Sequence, residues 1–312
     1  MTDPFDSRLR AIVGPDAVRR HAPLAELTTL RVGGPADWFV EVRRVDDLLA
    51  VVHAAHDARV TLAVLGGGSN VVVADDGVRG VVVRLRLSDI SQPTPDAVRA
   101  EAGVTMNGLV RWTISHELAG LEAWAGTPGT VGGAIYGNAH FGGRNLGDLV
   151  RRVMVVTPKG ELITVRQDEM EFAYDTSRLR RTGEILLWAE FHASPAPADG
   201  LRARARQSLA FRKSTQPLAM PSAGCVFQNP DPSRDRVPDG IPFSAGALVD
   251  RAGLKGHRIG GASISSTHAN FVVNEGDATA GDVRALIETA RRAVRDQFGV
   301  DLRDEVVFLG DF

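Results

Sequence analysis

Chemistry-bearing residues gather in three short stretches. The first is PSAGCVFQNP, residues 221–230, which holds Cys225, the sole cysteine in 312 residues. A thiol with an ordinary pKa of about 8.5 is a far stronger acid than an alcohol and can serve as a proton donor. A lone cysteine can equally be a small apolar filler of a core. The second stretch is LGGGSNVVV, residues 65–73, in which Gly66, Gly67 and Gly68 precede Ser69 and Asn70. Consecutive glycines let a backbone approach a ligand closely, and successive N–H groups in such a turn can cradle an anion. The valines that follow prefer a strand, so this is no dinucleotide fingerprint opening a helix, and no Gly-Lys-Ser/Thr follows to make a nucleotide-triphosphate loop. The third stretch is GTPGTVGGA, residues 126–134: Thr127 and Thr130 offer hydroxyls around Pro128, and Gly129, Gly132 and Gly133 offer close backbone approach. Each loop alone fits a tight turn. The two together suit the two ends of a pyrophosphate in a dinucleotide or similar anion.

Regular elements must hold these loops in place. WFVEV at 38–42 and TLAVL at 61–65 read as strands, the second running straight into the triple glycine. Between them, residues 44–59 carry Leu48, Leu49, Val52 and Ala55 on one helical stripe. VVVADDGVRGVVVRLRL predicts a hairpin turning at Asp76-Gly77, and residues 91–97 read as a connection. A helix is expected from Thr105 to Leu118, then a long glycine-rich loop over 126–143, a hairpin over 150–165 turning at Lys159-Gly160, and a strand over 184–193. ASPAPADG, 193–200, has linker composition. A basic helix is expected over 201–213. The strongest helical pattern is 279–299, where Thr279 and Asp282 make a capping-box start and Gly299 a C-cap. Residues 303–310 read as a closing strand. The reading is α+β, with one lobe over 1–97, a second over 98–195 and a C-terminal domain over 201–312.

Composition excludes several classes. The chain is 44% hydrophobic and 24% charged, with a formal net charge of -2. That balance argues against a general nucleic-acid or membrane-surface protein. No apolar run reaches the roughly 18 residues that span a bilayer, and the N-terminus lacks a signal-like apolar core. One cysteine forms no internal disulfide, which fits a reducing compartment. The expectation is a cytoplasmic protein, monomeric, with no nucleic-acid or membrane partner. His140 has no second ligand at suitable spacing, and no metal site is expected.

Longer blocks carry a resemblance. TTLRVGGPADWFVE, VLGGGSNVVVADDGVRGVVV and GLEAWAGTPGTVGGAIYGNA resemble the flavin-binding part of the UDP-N-acetylenolpyruvoylglucosamine reductase (MurB) family. TQPLAMPSAGCVFQNP, AGLKGHRIGGASISSTHANFVVNEGDATAGDV and DEVVFLG resemble its C-terminal substrate domain, in the same order. The likeness covers nearly all the chain from about residue 23, and the short span between Phe191 and Gln216 resembles the class lacking an extra insertion. It implies a two-lobed FAD-binding domain of the vanillyl-alcohol-oxidase (PCMH) type plus an α+β substrate domain. It also implies a cytoplasmic oxidoreductase of peptidoglycan precursor synthesis. NADPH would reduce FAD, and the flavin would reduce the enolpyruvyl group of a UDP-sugar to UDP-N-acetylmuramate. Gly66–Asn70 and Thr127–Gly133 would then hold the FAD pyrophosphate.

The resemblance also assigns residues. Hydride arriving at the β-carbon of an enolpyruvyl ether leaves negative charge on the α-carbon and its carboxylate, so the site needs a proton donor and a cation. Cys225 stands where the family has a serine donor, and Gln228 where it often has lysine. Glu305 in DEVVFLG matches a glutamate that assists protonation or orients substrate. In FAYDTSRLRR, Tyr174 and Ser177 match a substrate-binding Y-R-x-S block, but Asp175 occupies the arginine position. Arg178 is expected to take over, which requires a bulge or turn because residues 175 and 178 of a strand face opposite sides. Lys213, Gln216 and Asn229, with Arg212, are expected to bind the UDP-sugar, and His268 is a further contact or a structural histidine. Two rivals stay open: another flavoprotein of the same fold, and a non-catalytic flavin- or nucleotide-sugar-binding relative, motivated by Asp175.

Overall fold

The apolar stripe after Arg44 folds as the helix Val45–Ala58, stopped by Arg59 in the left-handed conformation at φ 54. Leu48, Val51, Val52 and Ala55 on its buried face join Val40, Val42, Val81 and Val83 in one core. The last four belong to a sheet of order Val18–Pro23, Pro35–Val42, Val78–Leu85, Leu62–Val64, whose last pair runs parallel. The same core continues into a five-stranded sheet of order Leu162–Arg166, Val150–Val156, Ile185–His192, Ala97–Glu101, Ile90–Thr94, antiparallel throughout. These elements come from a computed structural model that describes residues 3–312. They make the first of two units, formed by the described residues of Met1–Ala22 with Asp37–Gly67 and Arg79–Phe211.

Three expectations in this part of the chain are corrected. Residues 91–97 are not a connection: Ile90–Thr94 is an edge strand paired with Ala97–Glu101. Its residues after Ile90 are all exposed, so it carries no apolar alternation to read. The segments flanking Asp76-Gly77 form no hairpin. Val71–Val73 pairs in parallel with Val307–Leu309, while Val78–Leu85 pairs in parallel with Leu62–Val64. The 126–143 stretch is not all loop: Thr130 caps the short helix Val131–Tyr136, accepting a bond from the Gly133 amide.

The second unit is Pro23–Ala36, Gly68–Val78 and Arg212–Phe312. Its centre is the helix Ala280–Phe298, started by the Thr279/Asp282 capping box and closed by Gly299 at φ 68. Asp75 adds a second cap, its two carboxylate oxygens accepting from the Ala280 and Gly281 amides at 2.8 and 2.9 Å. The sheet order is Ser222–Cys225, Phe271–Asn274, Ala262–Ile264, Arg258–Ile259, all antiparallel. The division differs from a boundary at residue 201. Leu30, Val32 and Val72 are buried in the core of this second unit, and the chain crosses between units inside the helix Ala198–Thr215. The linker-like 193–200 stretch is structured: Ser194–Pro195 pairs with Leu118–Ala119, and Leu201 lies in the first core.

Candidate active site

The two glycine loops meet inside the first unit. A Cβ built on Gly67 would lie 2.6 Å from Gly129 Cα, and one on Gly66 would lie 2.8 Å from Thr130 Oγ1. The loops therefore touch backbone to backbone, and only residues without side chains permit it. Gly129 takes φ 92 and is held by the Met106 amide donating to its carbonyl. The Thr130 hydroxyl is engaged as a helix cap, and the Val131 and Gly132 amides donate to the Val104 and Ala102 carbonyls at 2.8 and 2.9 Å. Backbone amides with no side chain in the way are a donor set that suits a diphosphate. The close approach of the two loops is consistent with the diphosphate cradle expected of Gly66, Gly67, Gly129 and Thr130.

The triple glycine divides at its third member. Gly68, Ser69 and Asn70 belong to the second unit. Gly68 sits at φ 63 with its carbonyl accepting from the Thr29 amide at 3.0 Å. A Cβ there would meet Thr28 Cα at 2.8 Å. Asn70 donates its side-chain amide to the Glu305 carbonyl at 3.1 Å, and its own carbonyl accepts from the Val307 amide at 3.0 Å.

The Cys225 and Glu305 segments come together through the backbone of Val226. Cys225 ends the strand Ser222–Cys225 and stands in register with Phe271. The next residue, Val226, accepts at its carbonyl from the Glu305 amide at 2.9 Å and donates its amide to the Asn270 carbonyl at 2.8 Å. Asn270 then grips Phe227 on both sides. Its Oδ1 accepts from the Phe227 amide at 3.0 Å and its Nδ2 donates to the Phe227 carbonyl at 2.7 Å. Asn270 lies in the block AGLKGHRIGGASISSTHANFVVNEGDATAGDV, where nothing in its type or spacing marks it out. A buried asparagine is legible as a backbone clamp only once its neighbours are known. Gly224, at φ 79, lies at the register shift between Ser222 and Cys225.

Arg212 carries a buried positive charge in the same unit. It is 6% exposed. Burial pulls its guanidinium down to about 10, while attraction to the Cys225 side chain acts the other way. Lys213 and Asn229 are exposed and Gln216 is half-buried. The Asn229 Oδ1 accepts from the Ala245 amide at 3.0 Å, at the start of the helix Ala245–Arg251. His268 accepts at Nδ1 from the Asn270 amide at 3.2 Å and packs edge-on to Phe271. Burial, then the charge of Lys255, hold its pKa below the usual histidine value, which favours the neutral ring.

In the first unit, residues 173–176 form the turn that the Asp175 problem required. Ala173 and Thr176 exchange both backbone hydrogen bonds at 3.2 Å, and Asp175 alone of the two central residues has positive φ, at 54. Asp175 is 3% exposed and paired with Arg180 at 3.3 Å. Ser177 is buried and donates to the Tyr136 carbonyl at 2.9 Å. Tyr174 is 41% exposed, its ring 4.6 Å from that of His140. Arg178 does not turn back toward position 175. Its Nε and Nη2 donate to the two oxygens of buried Glu184 at 2.9 and 2.8 Å, which raises the pKa of the arginine and lowers that of the glutamate. Among the described residues no group of three or more His, Cys, Asp or Glu side chains gathers as metal ligands. No helix among them is long and apolar enough to cross a membrane.

Comparison with known proteins matches both parts of the chain. Residues 36–166 match the model of an FAD binding domain, and residues 216–309 match that of the UDP-N-acetylenolpyruvoylglucosamine reductase C-terminal domain. The reductase of Geobacter metallireducens is 37% identical, over 100% of this chain and 100% of its own. That of Heliobacterium modesticaldum is 38% identical over 93% and 90%. The crystal structure of MurB from Thermus caldophilus superposes with a TM-score of 0.77 at 32% identity, covering 94% of this chain and 99% of that one. A glucose dehydrogenase, Phl p 4.0202, shares the fold alone, with a TM-score of 0.50 at 16% identity. Full-length likeness of this kind, with both domain models matched in order, shows that the chain belongs to the UDP-N-acetylenolpyruvoylglucosamine reductase family.

Proposed function

We propose that this protein is an FAD-dependent reductase that uses NADPH to reduce the enolpyruvyl group of UDP-N-acetylglucosamine enolpyruvate, giving UDP-N-acetylmuramate for peptidoglycan. The observation that carries the reading, within a chain of this family, is the hydrogen-bonded pairing of the Cys225 and Glu305 segments through Val226. Bound FAD supplies the hydride carrier between NADPH and the β-carbon of the substrate. The chain supplies the rest. The loops Gly66–Gly67 and Gly129–Thr130 would hold the diphosphate of the cofactor. Cys225 gives its S–H proton to the α-carbon, and the thiolate left behind is reprotonated from solvent. Glu305 orients that transfer. Arg212, buried and within electrostatic reach of Cys225, takes the task of the arginine that position 175 lacks, lowering the energy of negative charge on the substrate carboxylate. Arg178 has a structural role as the partner of Glu184, and Asp175 is balanced locally by Arg180. The substitution at 175 thus has its own account without a non-catalytic protein. Lys213, Gln216, Asn229 and His268 are the proposed contacts of the UDP-sugar, together with Tyr174 and Ser177.

Turnover decides it. Flavin-loaded protein should oxidise NADPH only when the enolpyruvyl substrate is present, and absence of that dependence sinks the reading. Cys225→Ala should leave the NADPH half-reaction within about twofold and slow the substrate half-reaction by about 100-fold or more, the usual worth of a positioned acid. Equal loss in both halves would make the cysteine structural. The protein is further proposed to act as a cytoplasmic monomer, which light scattering and cell fractionation check.

A further inference from the structure

Asn70 stands in the glycine-rich loop, where its type and position suggest a cofactor contact. Its side chain is directed elsewhere. The Nδ2 group donates to the Glu305 carbonyl at 3.1 Å. Its backbone carbonyl accepts from the Val307 amide, which opens the parallel ladder between Val71–Val73 and Val307–Leu309. Glu305 is thus held on both sides of its own peptide units: its amide donates to Val226 and its carbonyl accepts from Asn70. Val226 adjoins Cys225. A continuous path of hydrogen bonds therefore runs from the end of the glycine loop, through Glu305, to the residue after the thiol.

We propose that Asn70 is a positioning residue for proton delivery, fixing the backbone at Glu305 and so the aim of its carboxylate beside the Cys225 strand. The parallel ladder places Val307 but leaves the carbonyl of Glu305 outside its register, which begins at the Val71–Val307 pair. A side-chain donor is what completes the bonding there. Asparagine supplies that donor on a short, two-torsion side chain. Ser69, one residue earlier, has its carbonyl 3.8 Å from where a Cβ of Gly224 would sit. The loop end therefore lies beside the cysteine strand at one residue and beside the glutamate at the next. The same short segment that leaves the cofactor loop also sets the acid pair.

The inference rests on the catalytic reading of Glu305 given above, and a double-mutant cycle separates the two. Asn70→Ala, Asn70→Asp, Glu305→Gln and the Asn70→Ala/Glu305→Gln pair are compared with the native holoenzyme in each half-reaction. FAD affinity is measured by titrating apo-protein fluorescence. Asn70→Asp keeps the shape and removes the N–H donor, so it guards against a folding artefact in the alanine variant. The expected result is about a tenfold loss in the substrate half-reaction for both Asn70 variants, the scale of one lost hydrogen bond. NADPH reduction and FAD affinity should stay within about twofold, and the solvent deuterium isotope effect on the substrate half-reaction should rise. In the Glu305→Gln background the Asn70 change should cost little more, because the two act as one unit. Loosened FAD or equal loss in both halves would overturn the proposal and make Asn70 a cofactor ligand. Additive losses in the cycle, or no loss in either Asn70 variant, would also overturn it. A Glu305→Gln enzyme with native substrate kinetics would instead overturn the catalytic reading on which the proposal stands.

Discussion

Asp175 shows how a charge reversal is settled by its immediate surroundings. A carboxylate at the position of a family arginine is alarming in a linear motif, because the reaction develops negative charge. In the fold the residue occupies a left-handed turn position at φ 54, which aspartate tolerates better than longer side chains. Its charge is met by Arg180, whose guanidinium also lies 5.3 Å from the Tyr136 ring. Restoring arginine at 175 is therefore expected to harm the protein. It would leave Arg180 facing a like charge in a buried site, costing about 3 kcal/mol. Asp175→Arg should lower the thermal midpoint and turnover together; a variant with native stability and raised turnover would show the native site to be handicapped. The motif singled out Tyr174 and Ser177, but not that Ser177 would donate to the Tyr136 carbonyl or that Tyr174 would pack against His140. The turn was only inferred as a requirement, and the choice of Glu184 as partner for Arg178 was not legible. That ion pair is decided by which carboxylate the strand Ile185–His192 brings alongside, and Glu184 stands just before it.

At the scale of elements, the glycine loops were legible as a pair because close backbone approach demands an unusual composition. No other residue lets two backbones meet at the separation implied by a Gly67 Cβ 2.6 Å from Gly129 Cα. Gly67→Ala is thus expected to push the loops apart and weaken FAD binding by about tenfold or more, since the obstruction is backbone and cannot swing away. Apo-protein titration reads this directly, and unchanged affinity would remove the loop contact from the cofactor site. The helices Val45–Ala58 and Ala280–Phe298 were equally legible from period and caps. The Asp76-Gly77 turn misled because a turn between two valine-rich runs is compatible with a hairpin, and also with two strands that leave for different sheets. Nothing local distinguishes these, because pairing energy lies in partners far along the chain.

For the whole molecule, chain order and structural order part company. The C-terminal unit buries Leu30, Val32 and Val72, contributed by two segments more than a hundred residues upstream of Arg212. Asn274 fastens one of them, its Nδ2 donating to the Leu30 carbonyl at 3.0 Å. A fragment of residues 212–312 would expose the apolar surface those side chains cover and lose the strand Val71–Val73 that pairs with Val307–Leu309. Removing several buried aliphatic groups at about 2 kcal/mol each exceeds much of the net stability of a domain this size. The fragment is expected to lack a cooperative thermal transition, which circular dichroism would reveal. A cooperatively folding fragment would show that the N-terminal segments are dispensable. Residue type and short spacing by themselves determined the capped amphipathic helices and the candidates for chemistry, a lone thiol and two glycine loops. Tertiary structure decided which carboxylate each arginine meets, that Asn70 reaches Glu305, and that two early segments belong with the last hundred residues. Those outcomes depend on contacts between residues far apart in sequence, whose energies no local pattern contains.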